Sequence, residues 1–239
     1  MLIDTAFDFR DDSGGRDPDR YSPTLRRYHR HLWSKPLPDG RPFKLDDATA
    51  GGFLHHRSEI GEFWLASDSV MQTFTRWKAT KHIVEKFAAS ERDRFDAITY
   101  TIGGMVLFPG NRVDKKMTIN GARGCRPAIA DRMDLTLECI RMHYLGLSSP
   151  LADVLKRYSD FFALFGDFRN YVEFFLLQDL MTPDQQTVAF FAPFIDFKTP
   201  AVPRDVDTYA EFMRTSTEFV HARNRRIATW AERRALRTG

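Results

Sequence analysis

The alternation of apolar and polar residues divides the chain into an early half of short runs and a later half of helical periods. Ser22-Pro23 reads as an N-cap followed by proline at the first helical position. The helix it opens has Leu25, Tyr28 and Leu32 on one face and Arg26, Arg27 and Arg30 off it. Pro36 closes that helix, and Pro38-Asp39-Gly40 is a turn. Before it, residues 11–20 read as a polar surface loop. Short strands are expected at Phe43 to Leu45, Phe53 to His56 and Glu62 to Ala66. Ser67-Asp68 then read as caps of a helix reaching Phe87, with Val70, Phe74, Trp77, Val84 and Phe87 near helical spacing. Ala97 to Phe108 reads as the clearest strand, since Ile98, Tyr100 and Ile102 alternate with smaller residues, and Gly103-Gly104 marks a bulge or a close backbone approach. Met117 to Asn120 reads as a strand paired with it across a long loop.

From Ile129 the period becomes helical. One helix is expected from Ile129 to Leu145, closed by Gly146. A second follows Ser149-Pro150, with Leu151, Val154, Leu155, Tyr158, Phe161, Phe162 and Phe165 in register, and a third runs from Phe168 to Leu180. Thr187 to Phe191 and Phe194 to Phe197 look extended, and residues 198–205 look like a loop. A long helix from Val206 to Arg234 ends in Arg225, Arg226, Arg233 and Arg234, cations suited to a helix C-terminus. The expectation is an α+β fold in a single domain, residues 1–239. Short antiparallel strands lie mainly in the first half and packed helices mainly in the second, and any subdivision would fall near Pro127.

Composition narrows the classes. Of 239 residues, 43% are hydrophobic and 21 are phenylalanine, which supplies a packed core and argues against global disorder. A net charge of +3 is too small for a binder driven by charge alone. No apolar run approaches the roughly 20 residues of a membrane helix, and the acidic N-terminus lacks the pattern of a secretory signal. Two cysteines, Cys125 and Cys139, make no disulfide framework, so a reduced, cytoplasmic setting is expected.

Candidate chemistry concentrates between Gly110 and Tyr144. On the helix from Ile129, Asp131, Asp134, Glu138 and Arg141 share a side opposite Ile129, Met133, Leu137 and Ile140. Acids beside an arginine suit a polar ligand or acid/base work, and equally suit an ordinary face with i,i+3 and i,i+4 ion pairs. In the last helix Arg223 falls within an apolar stripe, where it needs either a partner or a ligand. The stretch Asn120-Gly121-Ala122-Arg123-Gly124 reads as a loop whose glycines could expose N–H groups to phosphate, although it lacks the P-loop pattern. Arg112 adds charge before it. His55 and His56 point to opposite faces of a strand, and one of them could enter a site. There is no HExxH, CxxC or GxSxG, so neither a metal site nor a serine hydrolase is expected. Cys125 follows basic residues but has no evident histidine partner. The basic run Arg26 to His31, joined to the C-terminal arginines, is the alternative: a surface for nucleic acid or an acidic partner.

The segments YSPTLRRYHRHLWSKPLPDG, HHRSEIGEFWLASDS, FPGNRVDKKMTINGARG, DRMDLTLECIRMHY and FFALFGDFRNYVEFFLLQDL together resemble an uncharacterised family of bacterial proteins, a domain of unknown function, from about Phe7 to Ile227. The resemblance implies a bacterial, cytoplasmic, single-domain protein and carries no catalytic residues. Two expectations follow. The first is a protein that binds or acts on a phosphate-bearing ligand such as a nucleotide, NAD or RNA. Arg112, Asn120, Arg123, Arg141 and Arg223 would be its ligand-binding residues, and Asp134, Glu138, His55 and His56 its candidates for catalysis. The second is a non-enzymatic interaction protein. No cofactor, metal or oligomeric state is specified by the sequence.

Overall fold

The computed structural model describes residues 1–47 and 53–238. Its sheet has three antiparallel strands in sequence order: β1 (Leu54–Ser58), β2 (Gly61–Ser69) and β3 (Met105–Pro109). His56 lies opposite Phe63, and Asp68 opposite Val106. β3 is buried along its whole length, as expected for a strand covered on both faces. Helices α1 (Pro18–Tyr21) and α2 (Pro23–Trp33) precede the sheet. Ser22 caps α2 by accepting from Leu25 N at 3.1 Å, and proline opens the helix, as the sequence signals. The α+β class holds: the sheet lies within residues 54–109 and most helices follow it.

Several local expectations fail for identifiable reasons. Ser67 and Asp68 do not cap a helix. They belong to β2, and Val70 N extends the edge by donating to Gly104 O at 2.8 Å. The chain beyond is irregular, turned by Phe74 at φ 61, and only α3 (Lys81–Val84) is helical there. The expected strand from Ala97 is divided among three elements. Its start lies in α4 (Ala89–Thr99), a 3-10 turn covers Ile102–Gly104, and only Met105 onward is strand. The alternation at Ile98, Tyr100 and Ile102 therefore spans a helix end, where Thr99 and Thr101 hydroxyls bond carbonyls three residues back. The close approach at Gly103 is real. A Cβ there would lie 2.6 Å from both Asn224 Oδ1 and Val220 O.

Residues 117–124 are not a strand and loop but α5 (Ile119–Cys125), capped by Thr118 through Gly121 N at 3.3 Å. Gly121 and Gly124 sit within this helix, so their freedom at positive φ is unused. The next helix begins four residues late, as α6 (Met133–Tyr144), because Ala130 (φ 48) and Asp131 (φ 57) are left-handed. The helices expected after Pro150 are fragmented into α7 (Ala152–Leu155), a 3-10 turn, α8 (Ser159–Ala163) and α9 (Phe168–Phe174), the last followed by Leu176 at φ 52. Residues 187–197 are irregular, with one bridge between Met181 and Val188. The last helix, α10 (Val206–Thr238), has 33 residues and is about 50 Å long.

One buried apolar cluster runs from Ile3 to Ala231 and draws on both sides of Pro127. α6 is buried almost all round, Asp134 and Thr136 included. No helix among the described residues is long and apolar enough to cross a membrane.

Candidate functional site

The end of β2 carries the densest polar chemistry. Ser67, Asp68 and Ser69 present their groups to α5, to the turn at Asp131 and to α1. Arg123, one turn into α5, is fully buried. Its Nε donates to Thr136 Oγ1 at 2.9 Å, its Nη1 to the Asp68 carboxylate, and its Nη2 to Ser69 O at 3.0 Å and Asp131 O at 3.1 Å. Four of the five guanidinium N–H groups are thus placed on protein acceptors. The backbone closes the loop in return, since Asp131 N donates to Arg123 O at 3.1 Å. This ring of bonds holds Ala130 and Asp131 in left-handed conformations that cost roughly 1–3 kcal/mol each.

Three carboxylates, Asp19, Asp68 and Asp131, share this neighbourhood with the single guanidinium of Arg123. Asp68 is raised above the ordinary carboxylate range by burial, against the lowering pull of Arg123, with Asp131 and Asp19 adding repulsion. Its side chain still keeps 19% of its surface exposed, so the cluster opens to the outside. Asp19, brought over β2 by α1, is pushed up to about 6, first by burial. A hydrogen bond from Ser67 lowers it, Asp17 and Asp131 raise it, and Arg123 lowers it. Asn120 bonds the same residue of β2, its Nδ2 donating to Ser67 O at 3.1 Å. Two acceptors here are buried and unsatisfied: Asp19 Oδ1 and Asn120 Oδ1. Buried acceptors without donors cost free energy, and both flank Ser67.

Behind Ser67 stands His29, fully buried. Trp33 Nε1 donates to His29 Nδ1 at 3.0 Å, and His29 Nε2 meets Ser67 Oγ at 3.1 Å. Burial, and then the charges of Arg223 and Arg26, hold this imidazole down to about 3, so it is neutral at pH 7. An indole N–H can only donate, which fixes the proton on Nε2. His29 therefore donates to Ser67, and Ser67 donates onward to Asp19. The row of Ser, His and Asp has the wrong polarity for a nucleophilic serine, whose histidine must accept the proton.

The other residues marked from sequence lie apart from this cluster. Asp134 is fully buried, pairs with Arg132 through both oxygens and accepts from Phe191 N at 2.8 Å. Glu138 forms a two-bond pair with Arg141 at 2.7 and 2.8 Å. Arg223 gives Nε to Leu176 O, Nη1 to Gly103 O and Met105 O, and Nη2 to Phe175 O, all backbone carbonyls. His55 stacks on Trp64 and meets Glu62 at 2.8 Å, whereas His56 is buried against Phe43 and bonds Lys44 and Ser58. They do face opposite sides of β1. Arg112 is exposed. Of the basic helix faces, Arg26 and Arg30 both pair with Asp47, Arg226 with Asp179, and Arg234 bonds His31 O and Ser34 O.

Of the candidate site residues from sequence, Asn120 and Arg123 lie in this cluster; Asp19, Asp68, Ser67 and His29 were not among them. Among the described residues no group of three His, Cys, Asp or Glu side chains is arranged to hold a metal ion. A groove of 860 Å³ between the N-terminal segment, α4 and α10 holds none of the candidate ligand-binding or catalytic residues, although Arg225 of the basic C-terminal run lines it.

Residues 3–227 match the family model described as a family of unknown function, DUF6994. The chain belongs to this family. The match covers nearly the whole DUF6994 fold described above, from the buried Ile3 to Ile227 in α10, and it takes in every residue of the carboxylate cluster. No curated protein and no solved structure matches the chain.

Proposed function

We propose that the protein binds a small polar ligand in the carboxylate pocket and that the ligand enters with hydrogen-bond donors foremost. The observation that carries this reading is the pair of buried, donorless oxygens, Asp19 Oδ1 and Asn120 Oδ1, beside carboxylates outnumbering the one guanidinium. An amine, an amide or vicinal hydroxyls would satisfy both oxygens. A phosphate suits the same place poorly. Three carboxylates repel it, and Arg123 has a single N–H left to offer. Among the nucleotide-like ligands expected from the sequence, the amino group of a base or the hydroxyls of a ribose fit this cluster, with Asn120 a direct ligand-binding residue as expected and Arg123 holding Asp68 in place.

Acid–base work is available to such a site. Asp19 and Asp68 are both raised towards neutrality, so one carboxyl can hold a proton while its neighbour is ionised. A reducing, cytoplasmic setting, consistent with two free cysteines, remains part of this reading.

The experiment is a thermal-shift screen at pH 7.5 with adenosine, AMP, NAD, glucosamine and spermidine, run on wild type, Asp19→Asn and Asn120→Ala. A binder present at about 100 times its Kd stabilises by about 2.7 kcal/mol. The expected result is a rise in Tm for wild type that both variants lose. Equal shifts in all three proteins would remove the ligand from this pocket, and a flat response throughout would count against the reading.

A further inference from the structure

A second cleft has the opposite electrostatic character. The chain between β2 and α3 turns at Phe74, whose ring is fully buried and whose backbone is left-handed. Thr80, itself buried, clamps this turn by donating to Phe74 O at 2.7 Å and to Trp77 O at 3.2 Å. The indole of Trp77 meets the Phe74 ring edge-on at 5.0 Å, yet the residue stays 37% exposed. A large aromatic is thus pinned at the surface by a strained, fully bonded turn, a combination that accumulates at functional positions.

On one side of Trp77 lies a cleft of 380 Å³ bounded by Arg76, Lys78, Lys81 and Arg92. The carboxylate lining it is Glu85, 3.6 Å from Lys81. Arg76, Lys78 and Arg92 form no ion pair with the described residues, and the Nε of Arg92 is buried without an acceptor. Asp96 of α4 is engaged by the hydroxyls of Thr73 and Thr75. On the other side of Trp77 a cleft of 490 Å³ is walled by Pro127, Pro200, Val202 and Pro203. Unspent guanidinium donors beside an exposed indole, with an apolar wall beyond it, are complementary to an anion carried on a flat ring.

We propose that Trp77 and the cations beside it form a binding site for a nucleotide. Its phosphate sits between Arg76, Lys78 and Arg92, and its base lies on the indole towards the proline wall. This site is independent of the carboxylate pocket. It is a place on the surface where the phosphate of such a ligand meets positive charge not spent in an ion pair.

Isothermal titration decides it, with AMP, adenosine, ribose 5-phosphate and the single strand dT8 as probes. Wild-type protein is expected to bind AMP, and removing either the phosphate or the base should weaken binding about tenfold. The double variant Arg76→Ala/Arg92→Ala should stay folded and lose AMP by at least about tenfold, since neither side chain forms an ion pair with the described residues. Trp77→Leu should bind AMP no better than ribose 5-phosphate. Tighter binding of dT8 than of AMP assigns the nucleotide to a strand, and the reverse assigns it to a free mononucleotide. The proposal is overturned if neither AMP nor dT8 saturates wild type by about 10 mM, an affinity too weak to be specific. It is equally overturned if the folded double variant binds AMP as well as wild type does. Asp19→Asn separates the two sites: any AMP held at the carboxylate cluster is lost in it, and the binding that depends on Arg76, Arg92 and Trp77 is expected to persist.

Discussion

Arg123 and Arg223 are both fully buried, and each commits four of its five N–H groups, but to different ends. Arg223 bonds backbone carbonyls alone, and burial brings its pKa down only to about 10, so it stays charged at neutral pH. Its work is to tie four carbonyls of two distant segments to one helix. Arg223→Met should therefore cost at least about 3 kcal/mol in urea denaturation, because the carbonyls lose their donors together. Arg123 instead serves a carboxylate that faces an opening. The charges around it set a pH signature. Asp19 has a folded pKa above its unfolded value, so the folded protein holds an extra proton between about 4 and 6, and stability falls as pH rises through that window. Asp19→Asn should raise stability at pH 7.5 by on the order of 1–2 kcal/mol and add almost nothing at pH 4. Melting curves at the two pH values check this. The sequence made Arg223 conspicuous, because an arginine in an apolar stripe needs partners. It could not reveal that the partners were carbonyls, which every residue possesses. Asp19 was hidden in a Gly/Asp-rich stretch that looks solvated, and Asp68 was hidden because Ser-Asp before an apolar period imitates a helix cap.

At the level of elements, the sequence was most legible where a local signal agreed with packing. Ser22-Pro23 began a helix, His55 and His56 alternated along a strand, and Val206 began the long terminal helix. It was least legible where tertiary bonds overrode local preference. Asn120 to Gly124 is helical because Thr118 caps it and Arg123 is anchored from three sides, although two glycines argue for a loop. Ile98 to Ile102 alternates like a strand but sits where α4 ends and the chain dives beneath α10. Gly103 permits that dive, with its N–H on Asn224 Oδ1 at 2.7 Å and no room for a Cβ. Gly103→Ala should destabilise by about 2–3 kcal/mol, since the opposing atoms include the backbone of Val220. Chemical denaturation with an unchanged m-value would identify the loss as local overpacking.

The whole molecule is one apolar cluster with charged groups embedded at its seams, and Lys35 is the clearest case outside the pocket. Its amine donates to Phe174 O at 2.6 Å and lies within 5.2 Å of the ring centres of Trp33, Phe174 and Trp230. Burial, and then Arg234 and Arg223, bring it down to about 7. The unfolded chain then binds more protons between about 7 and 10, so stability should climb with pH across that range. Wild type is expected to gain on the order of 1–2 kcal/mol from pH 7 to pH 9, and Lys35→Met to show no such gain. The α+β class, and that no helix among the described residues is long and apolar enough to cross a membrane, could be read from composition and periodicity. The pocket could be read only in part, because it joins residues 19, 29, 67, 120 and 131, which no local pattern connects.

The reach of α10 has a consequence for how the protein is made. Residues 223, 224, 226 and 234 bond partners at 101, 103, 105, 175, 176, 179, 31 and 34. A ribosome delivers those partners first, and the carbonyls of Gly103 and Met105 must wait for about 120 further residues before their donor exists. Such distant pairings are slow to close. The growing chain therefore passes much of its synthesis with the sheet assembled at best loosely and its phenylalanines uncovered, a span in which a chaperone has the most to hold.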